Sequence, residues 1–176
     1  MKKTIFTGAA VALVTPFFED GTVNYKKLEE LIEFQIANNT DAIVACGTTG
    51  EASTMSDDVQ VECVRFAKEV AAGRCPIIAG AGSNSTEHCI ELAQACEKAG
   101  ADGVLLVTPY YNKATQKGLI KMFTAIADAS TKPCILYNVP SRTGCNLTPA
   151  SCAVLAQHPN IVGIKEASGN ISQIAE

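Results

Sequence analysis

The lysine at position 165 stands in unusual company for an ordinary surface charge. It lies in Ile161-Val-Gly-Ile-Lys165-Glu-Ala-Ser-Gly169, where Val162, Ile164 and the small flanking residues read as a buried strand. Lysine is almost never fully buried unless it is paired or used. Apolar surroundings disfavour the ammonium and lower its pKa, and the neutral amine so obtained attacks carbonyls to form a Schiff base. The plainer alternative is a strand-end lysine that reaches water or pairs with Glu166. Other groups suited to carbonyl chemistry recur along the chain. Tyr137 and Tyr111 offer phenols, and Thr48 offers a hydroxyl that both donates and accepts. Together they can move the protons that carbinolamine formation and dehydration require. Arg142 presents a planar fork for a carboxylate. Gly47 and Gly50 permit close backbone approach, with N–H groups able to hold the carboxylate of a keto acid.

The elements that must position these groups follow from hydrophobic periodicity. Six apolar or β-branched runs, at 10–17, 41–47, 76–82, 103–109, 134–140 and 161–167, recur at intervals suited to βαβ units. Amphipathic segments lie between them. Residues 25–37 carry Leu28, Leu31, Ile32 and Ile36 on one face after Asn24 as cap. Residues 57–72 follow Ser56, with two aspartates in the first turn. Residues 86–99 end at Gly100, residues 118–129 carry Leu119, Met122, Phe123 and Ile126, and Thr148-Pro149 starts a further helix. Such alternation predicts a parallel sheet covered by helices. A doubly wound open sheet and a (β/α)₈ barrel both fit. In either, ligands bind where the carboxyl ends of the strands share one face, and Gly47-Thr-Thr-Gly-Glu51, Tyr110-Tyr-Asn112, Tyr137-Asn-Val-Pro-Ser-Arg-Thr-Gly144 and Lys165 all fall there.

Composition narrows the function classes. A chain that is 47% hydrophobic and 18% charged, with a formal net charge of −4, has an ordinary globular balance. Mild acidity argues against nucleic acid or an anionic membrane as partner. The basic start Met1-Lys-Lys precedes no long apolar run, so the expected location is cytoplasmic. Eight cysteines include no Cys-x-x-Cys pair and stand apart from His88 and His158, so no metal is expected. They read as reduced, small apolar residues, with Cys46 beside the Gly47 turn as the one candidate reactive thiol. Gly80-Ala-Gly82-Ser-Asn-Ser85 follows a strand but lacks the third glycine of a dinucleotide fingerprint.

The four motifs after the strands, with Gly163-Ile-Lys-Glu-Ala-Ser-Gly169, resemble the dihydrodipicolinate synthase family of the class I pyruvate-aldolase superfamily, which includes N-acetylneuraminate lyase. The resemblance runs from about Phe6 to the end of the chain. It implies a TIM (β/α)₈ barrel and no cofactor beyond a covalent Schiff base between Lys165 and pyruvate. The enamine would attack aspartate semialdehyde, and cyclisation would give 4-hydroxy-tetrahydrodipicolinate for lysine (diaminopimelate) biosynthesis. It further implies a proton relay of Tyr137, Thr48 and Tyr111, the tyrosine being lent across a tight dimer interface. Thr49 would contact the pyruvate carboxylate and Arg142 would help bind the semialdehyde. A homodimer or homotetramer is implied. Asn84 and Tyr110 match a lysine-feedback site, where His88 stands in place of a common acidic residue, with Glu87 adjacent.

The resemblance also implies two further βα units and a C-terminal helical region. Residues 1–176 are therefore expected to be the N-terminal portion of the barrel, truncated to about six βα units, with the last units and the helical region absent. An open array of this kind leaves sheet edges unpaired. Two other readings are a lyase for a different 2-keto acid, such as N-acetylneuraminate or a 2-keto-3-deoxy sugar acid, and a non-catalytic fragment or partner module.

Overall fold

The computed structural model describes Lys2 and residues 4–176; Met1 and Lys3, part of the basic start of the chain, lie outside the described residues. Six strands, β1 (Ala10–Ala12), β2 (Ala42–Ala45), β3 (Ile77–Gly80), β4 (Gly103–Val107), β5 (Cys134–Asn138) and β6 (Ile161–Glu166), form one sheet. All are parallel, and their spatial order is their chain order. Helices α1 (Tyr25–Ala37), α2 (Asp57–Ala71), α3 (Thr86–Lys98), α4 (Gln116–Ala129), α5 (Pro140–Thr143) and α6 (Pro149–Leu155) connect them, and α7 (Ile171–Ala175) follows β6.

That order decides between the two architectures. A doubly wound sheet reverses strand order at a switch point and carries helices on both faces. Here the order never reverses, and the two faces of the sheet bury different company. Ile43, Ile77, Ala79, Val104, Leu106, Cys134 and Leu136 join helix residues such as Ile32, Val64, Leu119 and Phe123 in the main core. Val44, Ile78, Leu105 and Tyr137, from the alternate positions of the same strands, form a second small cluster on the concave side. The sheet is a curled half-barrel with its helices outside.

Local signals place the helices. Asn24 accepts from the Lys27 N–H at 3.0 Å, Ser56 from Val59 at 3.5 Å and Thr148 from Ser151 at 3.4 Å. Gly100, with φ of +102°, takes the left-handed position past α3. Helix α4 begins two residues before the expected start, because Thr115 accepts from the Gly118 N–H at 3.2 Å and brings that glycine into the first turn. Sequence periodicity did not reveal α5 or the single 3₁₀ turn Ala52–Thr54, both too short to show one.

The strands are shorter than their apolar runs. Ala81 and Val139 are buried beyond the last ladder residues, so apolar character continues into loops that line the interior. The expectation of a buried β6 fails. Gly163 and Lys165 are exposed and Ile164 is 40% exposed, because β6 pairs with β5 alone among the described residues.

The ends of β2, β3 and β4 meet with no room for a side chain. A Cβ on Gly80 would lie 2.1 Å from the Cys46 carbonyl oxygen, and one on Gly82 2.5 Å from the Val107 nitrogen. Gly80→Ala is therefore expected to cost about 3 kcal/mol, the upper range for overpacking a core. Denaturant unfolding of the two proteins measures it, and an unchanged midpoint would refute the close approach.

Candidate active site

A cavity of about 410 Å³ opens at the carboxyl ends of the strands. Gly47 and Thr48 line it from the loop after β2, Tyr110 from the loop after β4, and Tyr137 and Arg142 from β5 and α5. His88 of α3 lines it as well. Thr49, Asn84 and Tyr111 do not, and Lys165 reaches it only through its neighbour Tyr137.

Lys165 faces the concave side because of an irregularity in the sheet. Cys134 pairs with Ile161, but Ile135 pairs with Gly163, leaving Val162 as an extra residue. Strict alternation would put Lys165 on the same side as Ile161, among the helices. The bulge reverses the parity, so Lys165 lies opposite Tyr137 and Glu166 opposite Asn138. The Lys165 Nζ stands 4.5 Å from the centroid of the Tyr137 ring. Glu166 is not its partner: the Glu166 carboxylate accepts from Asn138 Nδ2 at 3.0 and 3.2 Å and from the Ser168 N–H at 2.6 Å. No ion pair to Lys165 occurs among the described residues.

Desolvation lowers the Lys165 pKa from the ordinary lysine value. A lowered pKa leaves more neutral amine at any given pH, so Lys165 should acylate ahead of the other lysines as pH rises. Competitive labelling with an amine reagent, read by mass spectrometry, is expected to show its labelling midpoint at lower pH than theirs. A midpoint at the common lysine value would refute the desolvation.

The loops are held by specific polar contacts. Thr15, buried after β1, donates to the Gly50 carbonyl at 2.8 Å and fastens the Gly47–Glu51 turn, which Cys46 enters and Glu51 ends with left-handed φ of 53° and 57°. Asn84 Nδ2 donates to Asn112 Oδ1 at 3.3 Å, and Asn112 Nδ2 returns a bond to the Asn84 carbonyl at 2.9 Å. These bonds join the loops after β3 and β4. Tyr111 is held at φ of 72° with its side chain 89% exposed, its N–H donating to the Thr143 carbonyl at 3.3 Å. Thr108 in turn donates to the Thr143 hydroxyl at 3.2 Å. Strained non-glycine φ values cluster at ligand sites, and here Cys46, Glu51, Tyr111 and Lys113 lie in the loops after β2 and β4, whereas Asn39 and Ala72 follow α1 and α2.

Asp57, read in the sequence only as a helix-dipole residue, also lines the cavity. Its carboxylate lies 2.7 Å from His88 Nε2, and Ser83 Oγ lies 2.9 Å from His88 Nδ1. Its 31-residue separation from His88 gave no signal in the sequence. Cys46 is buried, its Sγ donates to the Gln60 carbonyl at 3.6 Å, and the neighbouring Cys63 and burial push its pKa up, against the low-pKa thiol that reactivity needs. Burial likewise pushes Cys89 and Cys96 up to about 12. All eight cysteines are free. Among the described residues no three His, Cys, Asp or Glu side chains converge as a metal site, and no helix is long and apolar enough to cross a membrane.

The parallel strands in chain order, with helices outside and Lys165 set against the Tyr137 ring at the carboxyl ends of the strands, define a protein of the (β/α) barrel class. The dihydrodipicolinate synthetase family matches residues 5–176, and the chain belongs to that family. It is 61% identical over 173 residues to a 4-hydroxy-tetrahydrodipicolinate synthase of Lachnoclostridium phytofermentans, a match covering 98% of this chain and 59% of that one. It superposes with a TM-score of 0.94 on a chloride-inhibited dihydrodipicolinate synthase from Acinetobacter baumannii complexed with pyruvate, at 52% identity over 97% of this chain and 58% of that one. The same enzyme from Cyanidioschyzon merolae with lysine bound gives 0.95, at 47% identity over 98% of this chain and 59% of that one. The chain thus spans about 59% of the length of the curated relative.

Proposed function

We propose that the chain carries the pyruvate-activating site of a 4-hydroxy-tetrahydrodipicolinate synthase, a lyase of lysine (diaminopimelate) biosynthesis. The observation that carries the reading is the Lys165 amine 4.5 Å over Tyr137, opposite it on the adjacent strand, with Tyr137 lining the cavity. Lys165 attacks the keto carbon of pyruvate. The carbinolamine loses water to give the imine, and loss of a methyl proton gives the enamine. That carbon attacks the aldehyde of aspartate semialdehyde, and cyclisation releases the amine. Tyr137 and Thr48 serve as proton carriers, Gly47 and Thr49 hold the pyruvate carboxylate, and Arg142 meets the carboxylate of the semialdehyde. The exposure of Tyr111 supports its use by a partner copy in a homodimer or homotetramer. Residues 1–176 are then the first six units of a (β/α)₈ barrel acting in the cytoplasm without cofactor or metal. Asn84, Tyr110 and His88 would form the wall of a lysine-responsive site.

The test is intact mass after pyruvate and borohydride, which reduces an imine to a stable amine. A single pyruvyl-sized adduct at Lys165 is expected, and its absence overturns the reading for this chain. Adduct turnover by aspartate semialdehyde, and none by N-acetylmannosamine, is the expected acceptor preference. The reverse would assign the chain to the sugar-acid lyases.

A further inference from the structure

The side of the sheet opposite the cavity carries a polar network that the chemistry above does not use. Asn138 ends β5 with no exposed surface. Its Nδ2 donates to Asn146 Oδ1 at 2.9 Å and to both Glu166 oxygens at 3.2 and 3.0 Å, while its Oδ1 accepts from the Leu147 N–H at 2.9 Å. Both N–H groups of the amide are engaged, and its oxygen accepts one bond. Glu166 is capped in turn by the Ser168 N–H at 2.6 Å. Asn146 continues outward to Gln173 of α7 at 2.8 Å. Burial pushes the Glu166 carboxyl up, and the bonds from Asn138 and Ser168 outweigh it, holding the group below the usual carboxylate range.

The register of β6 needs such a lock. A strand's pairing is well specified where one face is buried and weakly specified where it is not. In β6 only Ile161 is buried, Gly163 has no side chain and Ile164 is 40% exposed. Slipping back by one residue would remove the bulge at Val162 and send Lys165 to the helix side, away from Tyr137. Little apolar burial opposes that slip. Asn138 and Glu166 do oppose it, because they meet only when Lys165 is opposite Tyr137, one position earlier on each strand.

We propose that Asn138 and Glu166 are positioning residues, a clamp between a buried amide and a half-buried carboxylate that fixes β6 in its bulged register and thereby holds the Lys165 amine over Tyr137 on the concave face. The clamp touches neither amine nor substrate. Its effect on rate rests on the function proposed above, whereas its effect on the amine's position does not.

The test reads both. In protein labelled with [13Cε]-lysine, the resonance missing from Lys165→Arg belongs to Lys165, and the Tyr137 ring current is expected to shift its ε-protons upfield. Glu166→Ala should abolish that shift and slow imine formation at saturating pyruvate by about 10- to 100-fold, the scale of a misplaced reacting group. Half-saturating pyruvate should change little. Glu166→Gln retains an acceptor for Asn138 and Ser168 and should restore both readouts. Leu155→Ala, a buried change on α6, controls for lost stability and should leave both intact. Persistence of the upfield shift in Glu166→Ala, or its equal loss in folded Leu155→Ala, would overturn the clamp. A shift that depends on Glu166 in a protein that forms no pyruvate adduct would uphold the clamp and overturn only the function.

Discussion

Lys165→Ala is expected to remove the borohydride-trapped pyruvyl adduct, lowering the trapping rate by about 10³-fold or more, the scale on which enzymes lose rate with their nucleophile. The substitution is clean for structural reasons. Lys165 is exposed, has no ion-pair partner among the described residues, and lies over the Tyr137 ring rather than in the main core. Its removal should therefore alter stability by no more than about 1 kcal/mol, the scale of a cation–π contact at an exposed site. Among the described residues other lysines are held in ion pairs, Lys68 with Asp102 at 2.7 Å and Lys27 with Glu30 at 2.8 Å, and none but Lys165 stands over the Tyr137 ring. They supply only background. Intact mass with and without borohydride, beside a melting curve, separates a lost nucleophile from a lost fold. An undiminished adduct in the variant would move the chemistry to another amine.

Tyr137→Phe tests the partner group and is expected to slow imine formation by about 10²–10³-fold, the range for a positioned general acid–base. The phenyl ring stays, so the small cluster of Val44, Ile78, Leu105 and Val139 keeps its packing and the amine keeps its aromatic neighbour. Only the hydroxyl goes. No buried side-chain polar atom lacks a partner among the described residues, and the Tyr137 hydroxyl bonds to none of them, so it faces the cavity. Its loss leaves no orphan in the core. Quenching with borohydride at successive times should show a slow approach to the same final adduct. Wild-type kinetics in Tyr137→Phe would assign proton transfer elsewhere, with Thr48 the next candidate on the cavity wall.

Much of the site was legible because its groups sit at strand ends, and strand ends are marked by where apolar runs give way to glycine, proline and polar residues. Gly47, Thr48, Tyr137 and Arg142 were found that way and line one cavity. Thr49 and Tyr111 share those loops but do not line the cavity, since a turn distributes consecutive side chains in directions that residue type does not reveal. Tyr111 takes a left-handed φ that few non-glycine residues adopt, and its exposure follows from that backbone.

By itself the sequence determined the βα alternation, the helix starts at Asn24, Ser56 and Thr148, and the presence of a lysine in an apolar strand. Each depends on residues within a few positions of one another, where period and capping hydrogen bonds act. Tertiary structure alone decided which face of the sheet is concave, that Asp57 meets His88, and that Glu166 turns to Asn138 rather than to Lys165. Above all it decided the side on which Lys165 emerges. Alternation along β6 sends that amine among the helices, and one unpaired residue at Val162, defined only by pairing with β5, brings it back to Tyr137. Register belongs to two strands together, so no single strand can state it.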